Sequence, residues 1–492
     1  MGRGVEKESF DERDYLCFRD RLEESLSVLS RLLERPGFGV GPATIGAELE
    51  LVLVDGDGGP LPHNQAIHAA VADPRVTLEL QRFNLELNAS PVPLAGQPFA
   101  ALDRELTLLV DRVAAAASRH AGRPALIGIL PTLAREHLSA DMMTDAPRYR
   151  ALTSGLRQVR QSPFRIRITG ADPLLLTSHD IGLEGATTSF QVHLRVNPAD
   201  FTRVYNAVQL ASAPALAVSG NSPTFLGHRL WEETRIALYK QSVDDRPGKG
   251  PRRRPSRTAL GTGWVRGGAL ELFTQSVRLH QPVLPVVADQ HPGYGAEPDI
   301  PPLDELRLHQ STVWRWNRAI YDPASGGHLR IEMRALPAGP TMTDMLANAA
   351  FLIGLSLWLA EQDQRWTYAL PFERADDGFY RAAQFGLTAQ LSWPAGRRDQ
   401  VRTMPAARLV AELIPAARQG LLHAGVAPAE ADRLLEVISE RAAAGRTGAA
   451  WQRAMLASIG RDRDRRQALA AMLDRYLELA GSGQPVHTWP IH

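Results

Sequence analysis

His328-Leu-Arg-Ile-Glu-Met-Arg-Ala-Leu-Pro337 carries Arg330, Glu332 and Arg334 at every second position, with Leu329, Ile331 and Met333 between them. In a strand this spacing points the three charged residues at one face and the apolar ones at the other. A carboxylate between two guanidiniums suits a site that holds a metal and a phosphate together, because Glu ligates Mg²⁺ and Arg grips phosphate oxygens in a bidentate fork. A solvated charged face opposite a core face would show the same pattern, so the strand gains meaning only from partners elsewhere.

Such partners exist. Thr44-Ile-Gly-Ala-Glu48-Leu-Glu50-Leu-Val-Leu-Val54 alternates with Glu48 and Glu50 on one face. Ser189-Phe-Gln191-Val-His193-Leu-Arg195-Val-Asn197 aligns four polar side chains against Phe190, Val192, Leu194 and Val196. Within Thr77–Pro91, Glu79 and Glu86 stand seven residues apart, so an unbroken strand would put them on opposite faces. A turn or bulge near Phe83-Asn84 is needed to bring both to one site. A solvated-face account of each strand does not explain why all four segments present oxygen or imidazole ligands, with arginines interleaved on two.

The ordered set Glu48-x-Glu50, Glu79 and Glu86 with a following Ser-Pro, Arg148-Tyr149, Thr188-Ser-Phe-Gln-Val-His193, Ala217-Val-Ser-Gly-Asn-Ser-Pro223 and Arg330-Ile-Glu332-Met-Arg334 resembles the glutamate-cysteine ligases. The likeness runs over roughly residues 40 to 350 and is nearest to the branch typified by plant and proteobacterial enzymes. It implies an α+β, glutamine synthetase-like catalytic fold: a curved, mainly antiparallel sheet forming a funnel, with helices outside and a helical C-terminal region. It implies ATP as cosubstrate, Mg²⁺ or Mn²⁺ as cofactor, and Glu48, Glu50, Glu79, Glu86, His193 and Glu332 as metal ligands. Arg334 and Glu332 match catalytic positions. Arg235, Arg195 and Tyr149 match the substrate side, with Arg235 on an amino acid's α-carboxylate. Arg246 and Arg330 match the nucleotide side. The activity implied is joining the γ-carboxylate of glutamate to the amine of cysteine, as in glutathione biosynthesis.

Two departures bear on the substrate, one of them an Arg235 region shorter than in the plant-like branch. Where the plant-like branch has Gln-Val-Asn-Leu-Asp, this chain has Gln191-Val-His193-Leu-Arg195, closer to bacterial carboxylate-amine ligases. Another amine than cysteine, a guanidino kinase-like phosphotransfer, and a non-enzymatic regulator on the same fold therefore stay open.

Composition sets the outer bounds. At 492 residues the chain can bury a large core. A net charge of +1 provides no long-range field, so neither nucleic acid nor an anionic membrane is expected as a partner. The expected partners are small molecules: glutamate, cysteine or another amine, and ATP. Cys17 is the single cysteine, which excludes an intramolecular disulfide and fits a cytoplasmic protein. The charged start Met1–Glu8 shows no secretory h-region.

Along the chain, residues 9–35 read as an amphipathic helix, Pro98–His120 as a second, and Pro124–Leu130 as a short apolar strand. Arg246–Arg257 is a basic run, read either as a disordered loop or as a lid over nucleotide phosphates. The apolar run Met345–Ala360 is shorter than the roughly 20 residues of a membrane span and reads as a buried helix. Ala406–Gly481 reads as wholly helical, serving packing or homo-oligomer contacts. The implied division is an N-terminal helix (1–37), a catalytic domain (38–345) and a helical C-terminal region (346–492). A doubly wound parallel sheet is not excluded by periodicity, although no Gly-x-Gly-x-x-Gly or Walker lysine loop is present.

Overall fold

The computed structural model describes residues 7–248, 254–289, 291–292, 300–395, 400–459 and 464–491. Residues 1–6, which begin the charged start, and 249–253, in the middle of the basic run, lie outside the described residues.

The alternating segments become one eight-stranded sheet: β1 (Thr44–Val54), β2 (Val76–Leu78), β3 (Asn84–Asn88), β4 (Val92–Pro93), β5 (Arg123–Ala125), β6 (Phe190–Val196), β7 (Asn317–Asp322) and β8 (His328–Met333). The order is β7-β8-β6-β1-β3-β2, with β4 and β5 against the two ends of β1. Every pair is antiparallel, which removes the doubly wound alternative. The sheet curls into a half-barrel with helices outside, the architecture that the resemblance implied.

The outer face is apolar because alternation puts every second residue there. Leu49, Leu51, Leu85, Leu87, Phe190, Val192, Leu194, Leu329, Ile331 and Met333 are at most 1% exposed. Each such side chain contributes about 1.5–3 kcal/mol by leaving water. The polar face is the concave one. The turn needed between Glu79 and Glu86 is the β2–β3 hairpin, which sets Thr77 opposite Glu86.

α1 (Glu12–Glu34) starts at an Asp11 cap with a capping box to Asp14 and buries Phe18, Leu22, Leu26, Leu29 and Leu32. α2 (Pro98–Ala117) packs on β1 and β3. α3 (Phe201–Ser219) is buried along nearly its whole length, and α4 (Thr234–Ser242) follows it. α5 (Met342–Glu361) has 20 residues, long and apolar enough to cross a membrane, so the expectation that this run is too short is corrected. It is nevertheless a core helix, packed between α3 and α6 (Ala406–His423). The boundary drawn at 345/346 falls inside it. α7 (Pro428–Ala444), α8 (Gly448–Ile459) and α9 (Arg465–Ala480) complete the C-terminal region, which is built of helices from Ala406 on.

Elsewhere the structure differs from the sequence-based expectation for local reasons. Only β5 of Pro124–Leu130 joins the ladder. Beyond it the carbonyls of Leu126, Ile127 and Gly128 accept from Tyr476 and Thr188 instead of a strand. A hairpin, Gln390–Pro394 with Val401–Pro405, interrupts the helical C-terminal stretch and buries Leu391, Trp393 and Met404. The end of the basic run is not a disordered loop: Arg257 is fully buried, and both it and Arg254 are ion-paired to Asp245.

Ile331→Asp should therefore prevent folding, because a carboxylate would enter the dry face between sheet and helices without a partner. Loss of far-UV helicity and of a cooperative thermal transition would show it.

Candidate active site

Strand register assembles the polar row. Arg318 lies opposite Glu332, Glu332 opposite His193, Gln191 opposite Glu48, and Glu50 opposite Glu86. Neighbouring strands lie about 4.8 Å apart, so side chains from five strands converge on one concavity.

Glu332 is its most constrained member. Arg318 donates to it through Nε (2.7 Å) and Nη2 (2.9 Å), and Arg334 through Nη1 (3.0 Å). Arg334 also donates to Gln191 Oε1. Burial alone would raise the Glu332 pKa, but the two guanidiniums hold it well below the usual 4.5. Removing this carboxylate would leave two partly buried arginines without their common partner, a destabilising change. Glu332 thus has a structural role.

Glu48, His193 and Glu332 bring one ligand atom each within 4.8 Å of one another. His193 Nε2 is 3.0 Å from Glu48 Oε1 and 3.9 Å from Glu332 Oε1. The nearer contact lacks hydrogen-bond geometry, so Nε2 is a buried nitrogen without a hydrogen-bond partner among the described residues. Arg330 Nε donates to Nδ1 at 3.1 Å, which puts the proton of a neutral ring on Nε2. The carboxylates fit a hard divalent cation as they stand. His193 fits once its proton moves to Nδ1 and Arg330 lets go.

A second carboxyl group lies across β1 and β3. Gln191 Nε2 (3.0 Å) and the Ser189 N–H (2.7 Å) donate to Glu50, and Asn88 Nδ2 (2.9 Å) and Thr77 Oγ1 (3.2 Å) to Glu86. Burial pushes Glu86 up to about 8, with Glu48 and Glu50 adding like-charge repulsion. Burial and then Glu86 push Glu79 well above its ordinary value, and burial raises Glu50 against the pull of Arg334. Glu184, carried by a short 3₁₀ turn, is pushed up to about 7 by burial and by Glu50. Such a set is short of positive charge, the condition that a bound cation relieves.

The row borders two main cavities. One, of about 370 Å³, is lined among others by Glu50, Glu79, Glu86, Glu184, Tyr149 and Arg334. A smaller recess beside it adds Arg235 and Trp316. The other main cavity is lined among others by Arg307, Tyr321, Asp322, Arg330 and Glu332. Glu48 and Arg318 border both.

The sequence-derived residues fall into three groups. Glu48, Glu50, Glu79, Glu86, His193, Glu332, Arg330 and Arg334 share the row or its cavities. Tyr149 stands on the wall, with its hydroxyl donating to Leu78 O (2.9 Å), and Arg235 reaches the recess from α4. Arg195 continues the row as the cross-strand partner of Arg330 but opens to another cleft, and Arg246 lines none of these cavities. Arg195 lines a separate cleft with Gly41, Asn197 and Arg203, and Arg246 is gripped by both carboxylate oxygens of Asp244 (2.8 and 2.9 Å).

Sequence reasoning missed Arg318 and Glu184. Arg318 was within reach, since Asn317-Arg-Ala-Ile-Tyr-Asp322 alternates and Pro-Ala-Ser-Gly-Gly327 marks a hairpin to β8. Glu184 carries no periodic signal.

The carboxyl values give a pH test in chelator. Groups with raised values bind protons more readily when folded, so stability should fall as pH rises from about 5 to about 8. Glu332 has the opposite sign, so stability should also fall as pH drops below about 4.5. Thermal melts at stepped pH should peak near 5 without metal, and added Mg²⁺ should flatten the alkaline side.

The model of glutamate-cysteine ligase family 2 matches residues 44–474. No curated protein matches the chain. Among solved structures, the glutamate-cysteine ligase of Francisella tularensis in complex with AMP is similar with a TM-score of 0.55 at 11% identity, over 92% of this chain and 91% of that one. A bifunctional glutathione synthetase from Pasteurella multocida aligns with a TM-score of 0.46 at 12% identity, over 95% of this chain and 55% of that one. The likeness to the Francisella enzyme, at 11% identity, speaks for the fold alone, which is glutamine synthetase-like. With the family model spanning nearly the whole chain, the protein belongs to glutamate-cysteine ligase family 2 and is an ATP-dependent carboxylate-amine ligase.

Proposed function

We propose that the protein joins the γ-carboxylate of glutamate to the amine of cysteine, releasing ADP and phosphate. The observation that carries this reading is the pair of cavities that share Glu48 and Arg318, with a buried arginine, Arg235, in the recess that adjoins the carboxylate-lined one. A carboxylate oxygen is too poor a leaving group for an amine to displace directly. The γ-carboxylate therefore attacks the terminal phosphorus of ATP, ADP departs, and the amine attacks the resulting acyl phosphate, expelling phosphate as its nitrogen loses a proton.

The residues divide this work. ATP lies on the side of Arg330 and Tyr321, with its phosphates toward Glu48 and Glu332. Arg246 serves the nucleotide only after leaving Asp244, and Arg195 serves a substrate only from its separate cleft. Arg235 takes the α-carboxylate of glutamate and so fixes which carboxylate points at the phosphate. Arg334 and Arg318 stabilise the charge on the phosphoryl group in transfer. Tyr149 walls the acceptor side. Glu48, His193 and Glu332 would hold one Mg²⁺ or Mn²⁺, and Glu50, Glu79 and Glu86 further ions. Such ions, when bound, neutralise phosphate oxygens. The Gln191-Val-His193-Leu-Arg195 strand favours a second reading, in which the same chemistry serves another amine.

Incubation with ATP, Mg²⁺, glutamate and a panel of amines, followed by product mass, tests the reading. γ-Glutamylcysteine is expected, with turnover lost in excess chelator. A different amide would select the second reading, and a phosphorylated small molecule without amide would overturn both.

Arg235→Lys should weaken apparent glutamate binding by roughly ten- to a hundredfold, because a bidentate grip becomes a point charge. The apparent affinity for ATP should stay within a few-fold in steady-state kinetics.

A further inference from the structure

The segment Ala217-Val-Ser-Gly-Asn-Ser-Pro223 lines none of the cavities above, yet it is dense in buried polar contacts. Asn221 is 0% exposed. Its Nδ2 donates to Ala338 O and to the Tyr476 hydroxyl, each at 2.8 Å, and its Oδ1 accepts from Gln452 Nε2 at 2.9 Å. Tyr476 belongs to α9 and Gln452 to α8. The Tyr476 hydroxyl passes its own proton to Leu126 O at 2.8 Å. The side chain of Asn221 is thus held on three sides by groups far away in sequence.

Its backbone leads to the cavity. The Asn221 N–H donates to Glu233 Oε2 at 2.8 Å, and the Ser222 hydroxyl to Glu233 Oε1. The same Oε1 accepts from Arg235 Nε at 3.2 Å, and Arg235 Nη2 donates to Ala335 O. Hydrogen bonds therefore run without a break from two C-terminal helices to the guanidinium at the recess. Packing leaves them little choice of arrangement. A Cβ on Gly448 would stand 2.2 Å from Asn221 Oδ1, and one on Gly339 would stand 2.7 Å from the Tyr476 hydroxyl.

We propose that Asn221, clamped by Gln452 and Tyr476, is a positioning residue that holds Glu233 and through it the guanidinium of Arg235. The C-terminal helices then set how tightly the cavity takes the carboxylate donor. This rests on the reading that Arg235 grips glutamate.

Tyr476→Phe removes one hydroxyl from the clamp and keeps the ring. It should raise the KM for glutamate by about three- to tenfold, the scale of one lost hydrogen bond, with kcat and the KM for ATP within twofold. Gln452→Met removes the other clamp at similar volume and should do the same, so the question stays answerable if one variant folds poorly. The double variant Tyr476→Phe/Arg235→Lys should bind glutamate no worse than Arg235→Lys alone, because the clamp acts only through that arginine. Multiplying effects in the double variant would overturn the inference, as would equal rises in both KM values that follow a falling Tm. If Arg235→Lys shifts glutamate and neither clamp variant does, the inference fails while the functional reading stands. If Arg235→Lys shifts nothing, both fall.

Discussion

Like charge in a confined space is the constraint on which this structure turns. Carboxyls from β1, β3, β8 and two connecting segments face one concavity in which burial already disfavours their ionisation. Two of them, Glu48 and Glu332, stay below the ordinary range because His193, Arg318 and Arg334 stand against them. The others are raised and wait for positive charge. Positive charge brought into the concavity would relieve such an imbalance.

Antiparallel register is what makes this imbalance reproducible. Each cross-strand pair sets two side chains about 5 Å apart at Cβ, and the apolar residues between them pin that register by their burial against the helices. Slipping β8 by one residue would turn Glu332 into the core and Ile331 into the funnel. Chemistry on the concave face is therefore secured by hydrophobic burial on the convex one.

The outer helices also reach the site more directly. Arg441 of α7 is buried against Asp344 and Asn348 of α5, which ties the C-terminal region to the helix behind the sheet. Asn221 continues the same theme on the side of the Arg235 recess, where α8 and α9 meet the loop before α4. The C-terminal region shows no metal-ligand constellation among its described residues, yet it is packed into the catalytic unit.

Period-two alternation made the facing of Glu48, Glu50, His193, Glu332 and Arg334 readable, because within a strand the face of a side chain follows from its position alone. The ordered motifs made the family readable, and with it the antiparallel funnel. The sequence by itself thus determined which side chains look inward from each strand. It did not determine which strands are neighbours, so the distances within the Glu48, His193 and Glu332 cluster and the joining of Arg318 to Glu332 were decided by tertiary structure. Residues off the strands were beyond periodicity altogether: Glu184 sits on a 3₁₀ turn, Arg235 is buried on a short helix, and Arg257 turned inward from a run that looked solvated. Only packing could place them, because local spacing carries no record of what a folded chain will bring from 200 residues away.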